Sequence, residues 1–202
     1  MLADQAILRC LKGDMKYETV LDIGCGRGEA SEIFRRAGRT VISIDAEPIY
    51  ERATRYNYGQ EPHHFLGNLQ EHADLIWCSH CLEHQSNPGT FLEFIYNDLK
   101  DAGWLAITVP PYKKEIVGGH VTIWNAGLLV YNLVLAGFDC SSAKIKTYDY
   151  NCSVIVQKNN ESRRKIPYYN LRRGQGDIEL LKPWLPDFFH HGVDGNIQEW
   201  NW

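Results

Sequence analysis

Apolar residues along this chain fall into two alternating rhythms. Residues 20–23 read Val-Leu-Asp-Ile and residues 40–44 read Thr-Val-Ile-Ser-Ile, short β-branched runs of the kind that lie inside a parallel sheet covered on both faces. Between them Ala30, Ile33, Phe34 and Ala37 recur at helical spacing over 29–37, and Gly38 stands where a helix closes on a left-handed residue. The exchange of periods continues with strand-like runs over 64–67, 74–79 and 104–109. A helix is predicted over 88–100, with Phe91, Leu92, Ile95 and Leu99 on its apolar face, Asn87 as N-cap and Pro88 in its first turn. A further helix is predicted over 125–136, a closing hairpin over 144–150 and 152–158, and a single cover helix over 3–11. Strands alternating with helices predict an α/β domain built on a mostly parallel sheet.

Between the first strand and its helix the chain reads Gly24-Cys25-Gly26-Arg27-Gly28. Three alternating glycines let the backbone turn sharply off the strand and approach a ligand at a distance that a Cβ would forbid. The second strand then delivers Asp45, 21 residues after Gly24. That spacing sets an acid at the tip of the neighbouring strand, where its oxygens can accept hydrogen bonds from both hydroxyls of a ribose. A dinucleotide fingerprint would carry its third glycine at position 29, but Glu29 occupies that place, and a carboxylate there repels a diphosphate. Asp22, at the end of the first strand, suits a cofactor carrying an ammonium group.

These residues resemble motif I of the class I S-adenosylmethionine-dependent methyltransferases, and later segments follow in the family's order. Ser79-His80-Cys81-Leu82-Glu83-His84 is similar to the Ser-His-x-Leu-Glu-His of many small-molecule members, and Gly119-His120 resembles the family's loop before its last helix. The resemblance covers about residues 18–158. It implies a Rossmann-like α/β fold with a seven-stranded, mostly parallel sheet, helices on both faces and an antiparallel closing strand. It implies one domain over 1–158, with 1–17 as an N-terminal cover, and a tail over 159–202. It also assigns cofactor contacts to Asp22, Gly24, Cys25, Gly26 and Gly28 in the loop, to Asp45 with Ala46, to Asn68 and Leu69 in place of the family's adenine-binding acid, and to Ser79 and His80 at the methyl end. The expected cofactor is S-adenosylmethionine.

Methyl transfer from a sulfonium needs alignment of the acceptor and, for a hydroxyl, removal of a proton. His120, in a glycine-flanked loop beyond the fifth strand, is the expected base, with Tyr112 as a second residue orienting the acceptor. A packing role for His120 against Trp124 stands open beside it. Glu83 and His84 are expected to hydrogen-bond loop backbone.

Composition adds limits. A formal net charge of −4 gives no general reason to expect nucleic acid or an anionic membrane as partner. The first 11 residues lack the basic start and apolar run of a signal peptide, and no stretch reaches roughly 20 apolar residues. Six scattered cysteines read as reduced thiols, hence a cytoplasmic protein. Cys78, His80, Cys81 and His84 echo a zinc pattern, yet they would have to converge across a strand-to-helix junction, so no metal is expected on them. In the tail, Lys158, Arg163, Arg164, Lys165, Arg172 and Arg173 form a basic run that could meet a substrate phosphate, although a solvated face is the simpler reading. Trp184, Phe188, Phe189, Trp200 and Trp202 then require cover, from the domain itself or from a second copy in a homodimer. The leading functional reading is O- or N-methylation of a small polar metabolite, such as a sugar or nucleotide-linked sugar. An RNA or protein methyltransferase is disfavoured because no Asn/Asp-Pro-Pro-Tyr/Phe segment follows the fourth strand. A non-catalytic binder is disfavoured by the intact loop and Asp45.

Overall fold

The computed structural model describes residues 3–58, 73–161 and 176–202. Its strands are β1 (Thr19–Ile23), β2 (Thr40–Asp45), β3 (Ala53–Arg55), β4 (Ala73–Ser79), β5 (Leu99–Val109), β6 (Lys144–Tyr148), β7 (Asn151–Gln157) and β8 (Glu199–Trp200). They join one sheet in the order β3-β2-β1-β4-β5-β7-β6-β8. Pairing is parallel from β3 through β5 and antiparallel from β5 to β7, β6 and β8. The helices are α1 (Asp4–Cys10), α2 (Glu29–Arg36), α3 (Pro88–Asp98), α4 (Ala126–Leu135) and α5 (Gly176–Leu181). The α/β architecture, the closing hairpin and the cover helix follow the pattern of the sequence. Eight strands stand among the described residues instead of the expected seven, because β3 and β8 are pieces of two or three residues too short to show a period. The strand expected over 64–67, with Asn68 and Leu69, lies outside the described residues.

Alternation along the strands divides the interior into two layers. Leu21, Ile23, Ile76, Cys78, Leu105, Ile107, Val154 and Val156 face the layer under α3 and α4, where Phe91, Leu92, Ile95, Leu129, Val130 and Leu133 meet them. Val20, Leu75, Trp77, Ala106 and Ile155 face the other layer, under α1 and α2, with Ile7, Tyr17 and Phe34. Phe34 meets the Trp77 ring at 5.6 Å between centroids. Asn87 caps α3 by accepting from the Thr90 amide at 3.4 Å, and Asn125 caps α4 by accepting from the Leu128 amide at 2.8 Å. Helix α3 stops at Asp98, short of the predicted residue 100. Tyr58 donates to the buried Asp98 carboxylate at 2.8 Å, and Leu99 already pairs with Ala73 as β5 begins. The Asp101-Ala102-Gly103 segment therefore lies within β5, at a register shift where Ala102 is left-handed.

The described part of the tail folds back on its own domain. Leu181, Leu185 and Phe189 are buried in the α3–α4 layer, Phe188 meets Trp200 edge-on at 4.9 Å, and β8 pairs Trp200 with Ile145. Lys158, read from sequence as part of a basic surface, is buried instead: its ammonium donates to the Leu99 carbonyl at 2.6 Å and lies 4.6 Å from the Tyr96 ring centre. The tail crosses the start of α4 where two glycines touch, the Gly127 amide donating to the Gly195 carbonyl at 2.8 Å. A Cβ at Gly127 would stand 2.7 Å from the Gly195 Cα. Gly127→Ala is therefore expected to destabilise the fold by about 1–3 kcal/mol in urea unfolding, although alanine is the better helix former, because two backbones would have to separate.

Candidate functional site

The glycine loop hangs from the end of β2. The amides of Gly24 and Cys25 both donate to the Ile44 carbonyl, at 2.9 and 3.1 Å, and the Gly26 amide donates to Asp45 Oδ2 at 2.9 Å. The second Asp45 oxygen accepts from the Glu47 amide at 2.9 Å. A carboxylate has about four lone-pair sites, so Asp45 keeps capacity for further donors. Gly24, Gly26 and Gly28 have φ of +71°, +53° and +76°. Their surroundings differ. A Cβ at Gly24 would press on Cys81 at 3.1 Å, and one at Gly28 would enter the Tyr50 ring at 2.5 Å, whereas at Gly26 it would meet nothing within 4 Å. Two glycines permit packing, and the third faces open space.

That space is a cleft of about 430 Å³. Of the residues expected to bind a cofactor, it brings together Asp22, Gly24, Cys25, Gly26, Ser79 and His80, and it adds Arg27, Glu29, Ala30 and Trp77. Gly28 sits beneath Tyr50, Asp45 supports the loop through Gly26, and Ala46 is exposed beyond β2. Ser79 Oγ is buried without a hydrogen-bond partner among the described residues, a polar atom left over at the cleft wall.

Asp22 is almost wholly buried and accepts from Ser31 Oγ at 2.6 Å. Ser31 and Ser43 hydroxyls meet at 2.7 Å, and Arg35 links Ser43 to Tyr50 and the Val41 carbonyl. Burial lifts the Asp22 carboxyl to about 6, with the Ser31 hydroxyl opposing the rise. Burial, reinforced by Asp22 and Asp45, also pushes the Cys25 thiol up to about 12, so this loop cysteine stays protonated.

His80 follows β4 with a left-handed φ of +54°. Its ring is stacked on Tyr150, its Nε2 lies 2.9 Å from Asn151 Oδ1, and its Nδ1 lies 3.3 Å from Glu83 Oε1. Burial by itself would favour the neutral ring, but the Glu83 carboxylate and the Asn151 oxygen outweigh it and hold the His80 pKa above the ordinary value. Glu83 does not bond loop backbone through its side chain as expected. It is fully buried, and neither carboxylate oxygen has a hydrogen-bond partner among the described residues. The expected backbone role falls to His84, whose Nδ1 lies 2.8 Å from the Gly119 carbonyl oxygen.

His120 lines a second, smaller pocket of about 110 Å³ with Pro111, Lys113, Ile123, Trp124 and Tyr150. Its ring stands edge-on to His84 at 5.1 Å, while the Trp124 indole donates to Thr122 Oγ1 at 2.8 Å. Tyr150 and His80 stack between the two hollows. Tyr112, expected to orient the acceptor, does not line the His120 pocket and is 54 % exposed. Sequence reasoning missed Tyr150, Asn151 and Tyr50, since the hairpin and the β2–β3 connection that carry them have no pattern marking a site. All six cysteines are free; Cys78 is buried in β4, and Gln85 Nε2 lies 3.6 Å from Cys81 Sγ.

A family model described as a methyltransferase domain matches residues 2–163. Among curated relatives, the ubiquinone biosynthesis O-methyltransferase of Hydrogenovibrio crunogenus is 31% identical over 101 residues, covering 45% of this chain and 42% of the relative. The chain thus spans less than half the length of that protein. The fold is similar to a SAM-dependent methyltransferase from Archaeoglobus fulgidus, with a TM-score of 0.62, 17% identity, and 77% and 94% of the two chains covered. It is also similar to the 1,6-didemethyltoxoflavin-N1-methyltransferase of Burkholderia thailandensis, whose structure holds 1,6-didemethyltoxoflavin and S-adenosylhomocysteine, with a TM-score of 0.61, 17% identity and 77% of each chain covered. The chain belongs to the methyltransferase-domain family and has the Rossmann-like fold of the class I S-adenosylmethionine-dependent methyltransferases.

Proposed function

We propose that this chain transfers a methyl group from S-adenosylmethionine to a hydroxyl oxygen of a small molecule. The observation that carries this reading is the side-chain-free floor at Gly26, held by Asp45 and opening on a cleft whose wall keeps an unpartnered Ser79 hydroxyl. The name of the curated relatives, O-methyltransferases, supports oxygen as the acceptor atom. When bound, the cofactor's sulfonium supplies a methyl group that is already activated. The chain's own residues then bind and align. Asp45 accepts the ribose hydroxyls, Asp22 and Ser79 serve the amino-acid end, and His80, clamped by Asn151 and Glu83, forms the wall nearest the acceptor. The acceptor enters from the pocket of Pro111, Ile123, Trp124 and Tyr150, apolar walls that suit a ring bearing the hydroxyl, in a sugar or in a flat phenol. His120, on that pocket, is the residue that promotes loss of the hydroxyl's proton.

Calorimetry with S-adenosylhomocysteine tests the first half of the reading, and a panel of hydroxylated and amine acceptors with labelled methyl donor tests the second. Asp45→Ala is expected to weaken S-adenosylhomocysteine binding by about 1–3 kcal/mol, by leaving ribose hydroxyls unpaired and the Gly26 amide unheld; unaltered affinity removes Asp45 from the site. A ligand ammonium favours the ionised form of Asp22, whose carboxyl titrates at about 6 in the free protein. Protonation as the pH falls must therefore be reversed on binding, so affinity drops between pH 7.5 and 5, and Asp22→Asn flattens the profile. An equal slope in the variant rejects the contact. His120→Ala is expected to keep cofactor affinity and lower turnover by about 100-fold, read with a saturating acceptor.

A further inference from the structure

We infer that Glu83, His84 and His120 form a binding site for a divalent transition-metal cation. Among the described residues, one ligating atom from each of these three side chains can be chosen so that all lie within 4.8 Å of one another. The Glu83 carboxylate is the anchor. It is fully buried, neither oxygen accepts a hydrogen bond among the described residues, and His80 Nδ1 and His84 Nε2 lie 3.3 and 3.9 Å from its Oε1. A carboxylate taken out of water with the His80 ring beside it and no hydrogen bond on either oxygen keeps lone pairs to spare, and a cation is a partner that uses them.

The tautomer of His84 points the same way. Its Nδ1 donates to the Gly119 carbonyl at 2.8 Å, so the neutral ring carries its proton there and directs the Nε2 lone pair toward Glu83. A backbone carbonyl on the far nitrogen is the arrangement that orients metal-ligating imidazoles. His120 is brought in by the backbone, because the Val121 and Thr122 amides both donate to the Glu83 carbonyl, at 2.9 and 3.2 Å. Ligand atoms at about 2.0–2.2 Å from a tetrahedral cation stand roughly 3.3 Å apart. The His84 side chain, 44% exposed, and the half-buried His120 have room to close that difference. Two imidazoles and one carboxylate suit zinc, iron(II), cobalt(II) or manganese(II) better than calcium or magnesium, and three protein ligands leave a coordination position open. Of the Cys-x-x-Cys and histidine pattern in the sequence, only His84 takes part.

The open position gives the cation a use that rests on the methyl-transfer reading. His120 also lines the acceptor-side pocket, so an acceptor hydroxyl completes the shell. Coordination lowers its pKa; the O–H bond breaks with loss of the proton to water, the oxygen forms a bond to the methyl carbon, and the C–S bond breaks with its electron pair going to sulfur. His120 then acts on the acceptor through the cation.

Zinc titration of the full chain, stripped of metal beforehand and followed by competition with a chromophoric chelator, tests the site. One equivalent is expected to bind. His84→Ala and His120→Ala are each expected to weaken zinc by at least tenfold, in line with the roughly 10–100-fold cost of disturbing even a supporting residue of a metal site. His190→Ala, at an exposed histidine pair, should leave binding unchanged. No stoichiometric uptake overturns the proposal, as does uptake that survives both substitutions or is lost only in Cys78→Ser or Cys81→Ser. Calorimetry of the metal-free chain with S-adenosylhomocysteine keeps the two readings separate: intact binding without zinc uptake rejects the cation alone, and zinc uptake without S-adenosylhomocysteine binding rejects the methyl-transfer reading alone.

Discussion

The pairing of β1 with β2 governs the cleft. The loop leaving β1 is closed within itself by one bond, from the Gly28 amide to the Cys25 carbonyl, and otherwise hangs from β2: its Gly24 and Cys25 amides donate to the Ile44 carbonyl, and its Gly26 amide to Asp45. In this register Ile23 pairs with Ile44, one residue before the strand delivers its acid. A slip of one residue would turn Asp45 to the other face of the sheet and release Gly26. The buried chain from Asp22 through Ser31 and Ser43 to Arg35 ties α2 to the same two strands, so loop, helix and acid move as one body.

The acceptor side is assembled from more distant parts. The turn at Leu82–His84 follows β4, the loop carrying His120 precedes α4, and Tyr150 and Asn151 come from the β6–β7 hairpin. Backbone bonds from Val121 and Thr122 to the Glu83 carbonyl join the first two, and the His80 ring joins the third through Asn151 and Tyr150. Antiparallel β7, running back beside β5, makes this meeting possible, since a parallel strand would begin at the opposite end of the sheet.

The aromatic tail belongs to the same economy of surfaces. Leu181, Leu185 and Phe189 complete the layer over α3 and α4, and β8 extends the sheet past β6. The contact of Gly195 with Gly127 sets the tail directly against the N-terminus of α4, whose first residues follow the His120 loop.

Sequence by itself determined the α/β order, the glycine loop and Asp45, because each is written in contiguous residues: hydrophobic period, glycines where φ turns positive, an acid at a strand end. It also marked the Leu-Glu-His segment as backbone support, which holds for His84 and fails for the Glu83 side chain, and it misread Lys158 as surface. Those errors share a cause. Whether Glu83 meets a backbone amide, a histidine or nothing, and whether Lys158 meets water or the Leu99 carbonyl, depends on residues tens of positions away, and no local pattern records such a meeting. Only the tertiary structure, by hydrogen-bonding two separate loops, decided that His84 and His120 stand together beside a buried carboxylate.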